Sequence, residues 1–324
     1  MTEYAIDPAL PSALPKDGRG AVITVGTFDG VHRGHREVLE EISRRAERTG
    51  SRSVLVTFHP HPLRVVRPEQ APPMLTTVEE KKEILAESGL EYAVFLPFTP
   101  VLQRYPARRF VEEILLGRLG MSELVIGYDH GFGRGREGDV DTLKALGEEL
   151  GFRVDVVGAV TEGEAPISST RIRRALAEGD VVEAARGLGR AYSFRGRVVV
   201  GDRRGRELGY PTANLEIGDS EKMLPKPGIY AVHGWVAGER IPGLLHLGPR
   251  PTFPGAIPAV ELHLLDFDGD LYGRELRVEF CARLRDVLRF DSAEALIVQM
   301  QQDERDGRAV LAGERGPSAC VERR

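Results

Sequence analysis

Gly26-Thr27-Phe28-Asp29-Gly30-Val31-His32-Arg33-Gly34-His35 follows a short apolar run, Ala21 to Val25, and opens a segment in which Val38, Leu39, Ile42 and Ala46 recur at helical spacing. Strand, glycine-bearing turn and helix in that order are the first step of an α/β domain. A turn at that place presents the unpaired N–H groups of a helix's first turn to an anion. Gly26 and Gly30 let the backbone approach a ligand closely. His32 and His35 stand three apart and share one face of the first turn, with Gly34 leaving room between them. Two imidazoles there could donate to phosphate oxygens and steady charge building on a leaving pyrophosphate. Two other readings stay open at this point: a plain glycine turn with surface histidines, and a metal pair, for which no third ligand of suitable spacing follows.

Outward from the motif the alternation continues. Ser53 to Phe58, Ala93 to Leu96, Leu124 to Ile126 and Val154 to Val157 predict strands. Val78 to Glu87, Phe110 to Leu119 and Thr142 to Leu150 carry helical periodicity between them. Such alternation implies a Rossmann-like parallel sheet covered on both faces, with ligands at the carboxyl ends of its strands. After about Ala185 the pattern changes. Ala191 to Val200, Gly228 to Val236, Ile241 to Leu247, Val260 to Phe267 and Leu276 to Phe280 read as strands with no helix between them, an antiparallel sheet or small β-barrel. Asp268-Gly269-Asp270 suits a tight turn. A helix over roughly Ser292 to Glu304, capped by Asp291 or Ser292, closes the domain. The expected fold class is α/β: a parallel-sheet domain over 1–186, an antiparallel barrel with a C-terminal helix over 187–312, and a mobile tail over 313–324.

Bulk composition agrees with two globular domains: 324 residues, 41% hydrophobic and 29% charged. A net charge of −5 argues against general nucleic-acid binding while allowing a local basic pocket. No apolar run approaches membrane-spanning length, and Met1 to Gly20 lacks the regions of a signal peptide. No membrane partner is therefore expected, and the cytoplasm is the expected compartment. The two cysteines, Cys281 and Cys320, lie far apart in no ligand-like spacing, which predicts neither a disulfide framework nor structural zinc.

Two further clusters carry chemistry. Ile167-Ser168-Ser169-Thr170-Arg171-Ile172-Arg173 follows the last predicted strand of the first domain and starts a helix ending near Gly179. Serine there caps free N–H groups, and Arg171 and Arg173 add positive charge; by itself this is an ordinary capped helix. Gly205-Arg206-Glu207-Leu208-Gly209-Tyr210-Pro211-Thr212-Ala213-Asn214-Leu215 is the second. Thr212 and Asn214, two apart, point to one face of an extended segment, and a hydroxyl and an amide oxygen can ligate Mg²⁺ beside phosphates. Gly201, Gly205 and Gly209 leave backbone free to wrap a nucleotide. Alone, the segment reads as a proline-containing loop near a strand.

Together these segments resemble the nucleotidylyltransferase superfamily, with its H-x-G-H and S-S-T-x-x-R signatures. More narrowly, they resemble the bacterial bifunctional riboflavin kinase/FAD synthetase family, from about Gly20 to Arg308. The resemblance implies ATP-dependent phosphorylation of riboflavin to FMN in the second domain and Mg²⁺-dependent adenylylation of FMN to FAD in the first, with release of pyrophosphate. It implies an adenylyltransferase ATP site of Gly26, Thr27, Phe28, Asp29, Gly30, His32 and His35, with Ser169, Thr170 and Arg171 holding the triphosphate from the other side. His59, Pro60, His61 and Pro62 after the second strand, Asp129 and Phe132 after the fourth, and Arg285 near the end of the barrel would contact flavin. Gly201, Gly205, Gly209, Pro211, Thr212 and Asn214 would form the kinase ATP site, with Thr212 and Asn214 on Mg²⁺. Glu261 matches the kinase base, whose task is to take the proton of the ribityl hydroxyl as it attacks phosphorus. Thr27 stands where many members carry asparagine. Pro249 and Pro254 stiffen the loop from Gly248 to Pro258, and Pro254 stands where glycine is usual. The competing readings are a chain retaining only one activity, an adenylyltransferase acting on a different phosphate acceptor, and a flavin sensor without turnover.

Overall fold

The computed structural model describes residues 2–5, 14–15, 17–127, 131–133, 137–158, 160–162, 165–201, 209–249, 259–314 and 319–320. The chain divides into two compact units, Met1–Ser168 and Ser169–Arg324, so the division falls earlier in the chain than the expected boundary at 186/187.

The first unit runs β1 (Thr2–Ala5), β2 (Ala21–Val25), α1 (Arg33–Thr49), β3 (Arg52–His59), α2 (Pro62–Val66), α3 (Val78–Ala86), β4 (Tyr92–Pro97), α4 (Ala107–Phe110), β5 (Met121–Gly127), α5 (Val140–Leu150) and β6 (Arg153–Val157), then a two-residue-per-strand hairpin, β7 (Thr161–Glu162) with β8 (Ala165–Pro166). Six strands form one parallel sheet in the order β1-β4-β3-β2-β5-β6. Every residue of β2 is buried, which is why it reads as a continuous apolar run rather than an alternation. From β2 the chain steps to β3 and β4 on one side and later to β5 and β6 on the other. The order therefore reverses beside β2, and a crevice opens there at the carboxyl ends.

Local chemistry fixes the helices. In α1, Val38, Leu39, Ile42 and Ala46 form the buried face, His32 is the N-cap, and Gly50 ends the helix at φ 64°. Thr77 and Glu80 make a reciprocal capping box on α3. On α1, Arg45 bonds Glu41 of its own helix, Glu123 of β5 and Asp155 of β6, tying helix to sheet. The helix expected over Phe110 to Leu119 begins earlier, after Pro106, and its second half, Val111–Leu116, is π-wound: Gly117 N bonds Glu112 O at 3.0 Å.

The second unit begins with α6 (Ser169–Glu178) and α7 (Val181–Leu188). Both follow the parallel sheet in sequence yet belong to the barrel unit, with α7 packing on strands of the barrel. That barrel comprises β9 (Tyr192–Val199), β10 (Ala213–Glu216), β11 (Gly228–Val236), β12 (Glu239–Gly248), β13 (Ala259–Leu264) and β14 (Glu275–Arg285). The strands close in the order β10-β13-β12-β11-β14-β9, all pairs antiparallel, so no edge is left open. Phe194, Tyr230 and Phe280 fill the interior. The last helix, α8 (Ala293–Leu311), starts at the Ser292 cap, runs beyond the expected end, and lies on β11, β12 and β14. Val310 packs there against Ala231 and Ala282.

The sequence-based expectation for the cysteines is corrected. Cys281 and Cys320 form a disulfide. Ala319 N donates to Cys281 O at 2.7 Å, and Arg240 Nη2 donates to Cys320 O at 3.2 Å, so this part of the expected mobile tail is bound to the barrel. No helix among the described residues is long and apolar enough to cross a membrane.

Candidate functional site

In the first unit a cavity of about 700 Å³ lies over the carboxyl ends of the sheet. Its wall includes Gly26, Thr27 and Phe28 after β2, Phe58 at the end of β3, Phe98 after β4, Gly127 at the end of β5 and Gly158 after β6. His32, Gly34 and His35 line it as well, and so do Ile167 and Ser168, the first residues of the second motif. The histidine rings stack at 3.6 Å between centroids, and Phe28 lies 4.5 Å from His35. His32 Nδ1 accepts the backbone N–H of His35 at 3.3 Å, so in the neutral ring Nε2 carries the proton and is the donor. His32 thus does two jobs: it caps α1 and presents a donor. A β-carbon at position 34 would come within 3.2 Å of the His32 ring, which explains the glycine between them.

The turn itself is held from beneath. Thr27 O accepts from Lys81 Nζ at 2.7 Å and from Thr57 Oγ1 at 3.0 Å. Gly30 N donates to Thr76 Oγ1 at 3.1 Å. Asp29, 1% exposed, accepts the backbone N–H groups of Leu75 and Thr76. Its carboxylate is bonded to that backbone and so ties the turn to the segment before α3. Phe28 and Val31 hold positive φ, 46° and 39°, a strained conformation that these contacts sustain.

Burial pushes the Lys81 ammonium down from its ordinary 10.5 to about 8, against an opposing pull from Asp29. Between those two values the unfolded chain holds more protons than the folded one, so folding gains stability as pH rises through the window. Relative to Lys81→Met, the native protein should gain about 3 kcal/mol between pH 8 and 10.5. Urea unfolding followed by circular dichroism at each pH measures this. A difference that stays flat would mean that the buried ammonium is not what titrates.

The other expected residues divide. His61, Pro62 and Phe132 line the cavity with His32 and His35; His61 also caps α2 by accepting from Leu63 N at 3.2 Å. His59 and Pro60 are exposed and stand outside the wall. Asp129 lies outside the described residues. Phe98, Leu102, Tyr105 and Phe110 form an apolar wall that the sequence reading did not single out. Its only signal was the run of aromatics after a strand's carboxyl end. Ser169 and Thr170 open α6, and Arg171 donates from Nε and Nη2 to the same oxygen, Oε1 of Glu183 of α7, at 3.1 and 2.5 Å.

In the second unit, register brings together two of the residues expected at the phosphoryl-transfer site, Asn214 and Glu261. Asn214 on β10 pairs directly with Glu261 on β13, and Glu261 pairs with His246 on β12. His246 Nδ1 lies 3.5 Å from Glu261 Oε2, and its Nε2 donates to Pro249 O at 3.0 Å. The ring therefore stands beside the carboxylate and is held there through Pro249. Sequence reading passed over His246, whose relation to Glu261 exists only in the register. Asn214 also lies against Gly201, where a β-carbon would overlap its amide. Pro211 O accepts from His263 Nδ1 at 2.8 Å, which anchors the segment leading to Thr212, and Gly209 holds φ 83°. Gly205 and the loop residues 250–258 lie outside the described residues. Arg285, expected on flavin, is instead paired in bidentate fashion with buried Asp303 of α8 at 2.7 and 2.5 Å, and its remaining nitrogen donates to Asp286 O. These bonds tie α8 to the end of β14.

Comparison with known proteins agrees with the division into two different domains. The family model for FAD synthetase matches residues 14–171, and that for riboflavin kinase matches residues 188–311. The bifunctional riboflavin kinase/FMN adenylyltransferase of Pseudomonas fluorescens is 39% identical over 300 residues, covering 92% of this chain and 96% of that one. The protein of the same name from Escherichia coli strain K12 is 38% identical over 294 residues, 90% and 93% of the two chains. A crystal structure described as a macrolide-efflux protein from Streptococcus pneumoniae superposes with a TM-score of 0.85 at 29% identity, covering 95% of this chain and 99% of that one. Its designation stays with that protein; the shared chain path is what it contributes. With two matched domains and relatives of this identity over nearly its whole length, the chain belongs to the bifunctional riboflavin kinase/FMN adenylyltransferase family.

Proposed function

We propose that the barrel transfers the γ-phosphoryl group of ATP to the terminal hydroxyl of riboflavin, and that the first unit joins the resulting FMN to AMP from a second ATP. The observation that carries the kinase assignment is the β10–β13 register, which sets Asn214 opposite Glu261. In this reading Glu261 takes the hydroxyl proton as the oxygen attacks phosphorus and ADP leaves. Thr212 and Asn214 offer hard oxygen donors of the kind Mg²⁺ takes, and Gly201 provides the clearance beside Asn214. Bound there, the ion would neutralise charge on the phosphates.

In the first unit an FMN phosphate oxygen is already anionic and attacks the α-phosphorus without a base, expelling pyrophosphate. His32 and His35 would donate to the oxygens that gain charge. Phe58, Phe98, Tyr105, Phe110 and Phe132 suit the flat apolar isoalloxazine ring. We retain 1–186 and 187–312 as the functional parts, since the riboflavin kinase match begins at residue 188. A cytoplasmic location accords with ATP as donor in both steps.

Incubation with riboflavin, ATP and Mg²⁺, with products separated over time, tests the whole reading. FMN should appear first and FAD later. FMN alone would reduce the first unit to a binder, and no product would favour a flavin sensor.

A further inference from the structure

The cysteine pair is more than a strand-to-tail link. The β11–β14 ladder shifts register between Ala231, opposite Ala282, and Val232, opposite Phe280; Cys281 is the extra residue of that β-bulge. A bulge releases a residue from the ladder and re-aims its side chain. Both consequences are visible. The freed Cys281 carbonyl accepts from Ala319, and its sulfur, wholly buried, meets Cys320 of the tail and His233 of β11. His233 Nδ1 lies 3.1 Å from Cys281 Sγ. The ligand atoms of His233, Cys281 and Cys320 all fall within 4.8 Å of one another.

A disulfide accounts for two of these residues and leaves the third unexplained. An imidazole nitrogen directed at sulfur gains little from a neutral disulfide. It gains much from a cation held by two thiolates. A tetrahedral Zn²⁺ site, with Zn–S near ~2.3 Å and Zn–N near ~2.0 Å, needs ligand atoms roughly 3.5–3.8 Å apart. The sulfurs must therefore separate, and Cys320, on the tail, supplies that movement. His233 and Cys320 are only partly buried, so solvent can provide a fourth ligand.

We propose that His233, Cys281 and Cys320 form a binding site for a thiophilic divalent cation, Zn²⁺ by chemistry, in the reduced protein, and that the disulfide is its metal-free oxidised form. A dithiol or phosphine reductant supplies the two electrons that cleave the S–S bond, and two protons complete the thiols. Cation binding then releases both protons and forms two metal–sulfur bonds and one metal–nitrogen bond. Either state keeps the tail on β11 and β14. His233 pairs with Pro242 of β12, four residues along that strand from His246, so the site is structural in this reading.

The test uses the full chain, reduced by a phosphine without oxygen and titrated with Co²⁺ as the spectroscopic probe. One equivalent should give a near-ultraviolet thiolate-to-cobalt band and the intense visible bands of a four-coordinate site. Co²⁺ in an oxygen-lined Mg²⁺ site gives no thiolate band. Zn²⁺ should displace the probe. Loss of a group behind a metal ligand costs about 10- to 100-fold in affinity, so Cys320→Ser and His233→Ala should each weaken binding by about 100-fold or more. Retained riboflavin kinase turnover in Cys320→Ser would show that the barrel has folded. Absence of the thiolate band from reduced native protein, or undiminished binding in Cys320→Ser, would overturn the proposal.

Discussion

Glu261→Gln should abolish FMN formation while supplied FMN is still converted to FAD. A neutral ribityl hydroxyl is a poor nucleophile, and a positioned base contributes about 10²- to 10⁴-fold. Glutamine keeps the size of the side chain and an acceptor oxygen but cannot take the proton. The surrounding pairs, Asn214 across β10 and His246 across β12, stay in register because the ladder is backbone-bonded. The variant therefore separates chemistry from folding. The adenylyltransferase reaction, carried out by the other unit, is the internal control. Initial rates of each step, measured separately by chromatography, decide the matter. Kinase turnover within tenfold of the native rate would remove Glu261 from the base role, and parallel loss of both steps would point to misfolding.

What was legible in the sequence was what is local. The β2 run, the phosphate-type turn and the apolar face of α1 are set by residues within one turn or strand of each other, and the structure reproduces them. The caps Thr77 and Ser292 are likewise short-range. What escaped was decided by distant partners. β10 is four residues long, follows a proline, and is a strand only because β9 and β13 flank it. β1 exists through parallel pairing with β4. Arg171 and Arg285 read as ligand-directed cations, but tertiary packing brings Glu183 and Asp303 to them. Asp29 reads as facing the nucleotide, and packing likewise brings Leu75 and Thr76 to it. The disulfide depended on a bulge, which no periodicity reveals. Local signals thus place the turns, caps and strands that carry each site, while the partners of the charged groups around it come from tertiary packing, where a carboxylate or a phosphate would satisfy the same guanidinium equally well.

Removing both imidazoles of the first motif should stop FAD formation and let FMN accumulate. The design must respect the second job of His32. Its Nδ1 caps α1 by accepting from His35 N, so alanine there would cost about 1 kcal/mol of stability along with any catalytic effect. Asparagine retains a capping oxygen and lacks the imidazole donor, so His32→Asn with His35→Gln isolates the chemistry. Donors aimed at developing charge are worth about 10²- to 10³-fold each. The stacked rings, 3.6 Å apart, act on one leaving group, so the double variant should lose less than the product of the single losses. The loss should fall mainly on kcat, because the aromatic wall from Phe58 to Phe132 that would hold the flavin is untouched, and KM for FMN should change little. Riboflavin phosphorylation should continue at its native rate. A double variant that still makes FAD within a few-fold of the native rate would return the two histidines to the plain reading of a glycine turn with a helix cap. In that event the backbone of the turn, held by Lys81, Thr57 and Asp29 from beneath, would have to carry the phosphate chemistry without them.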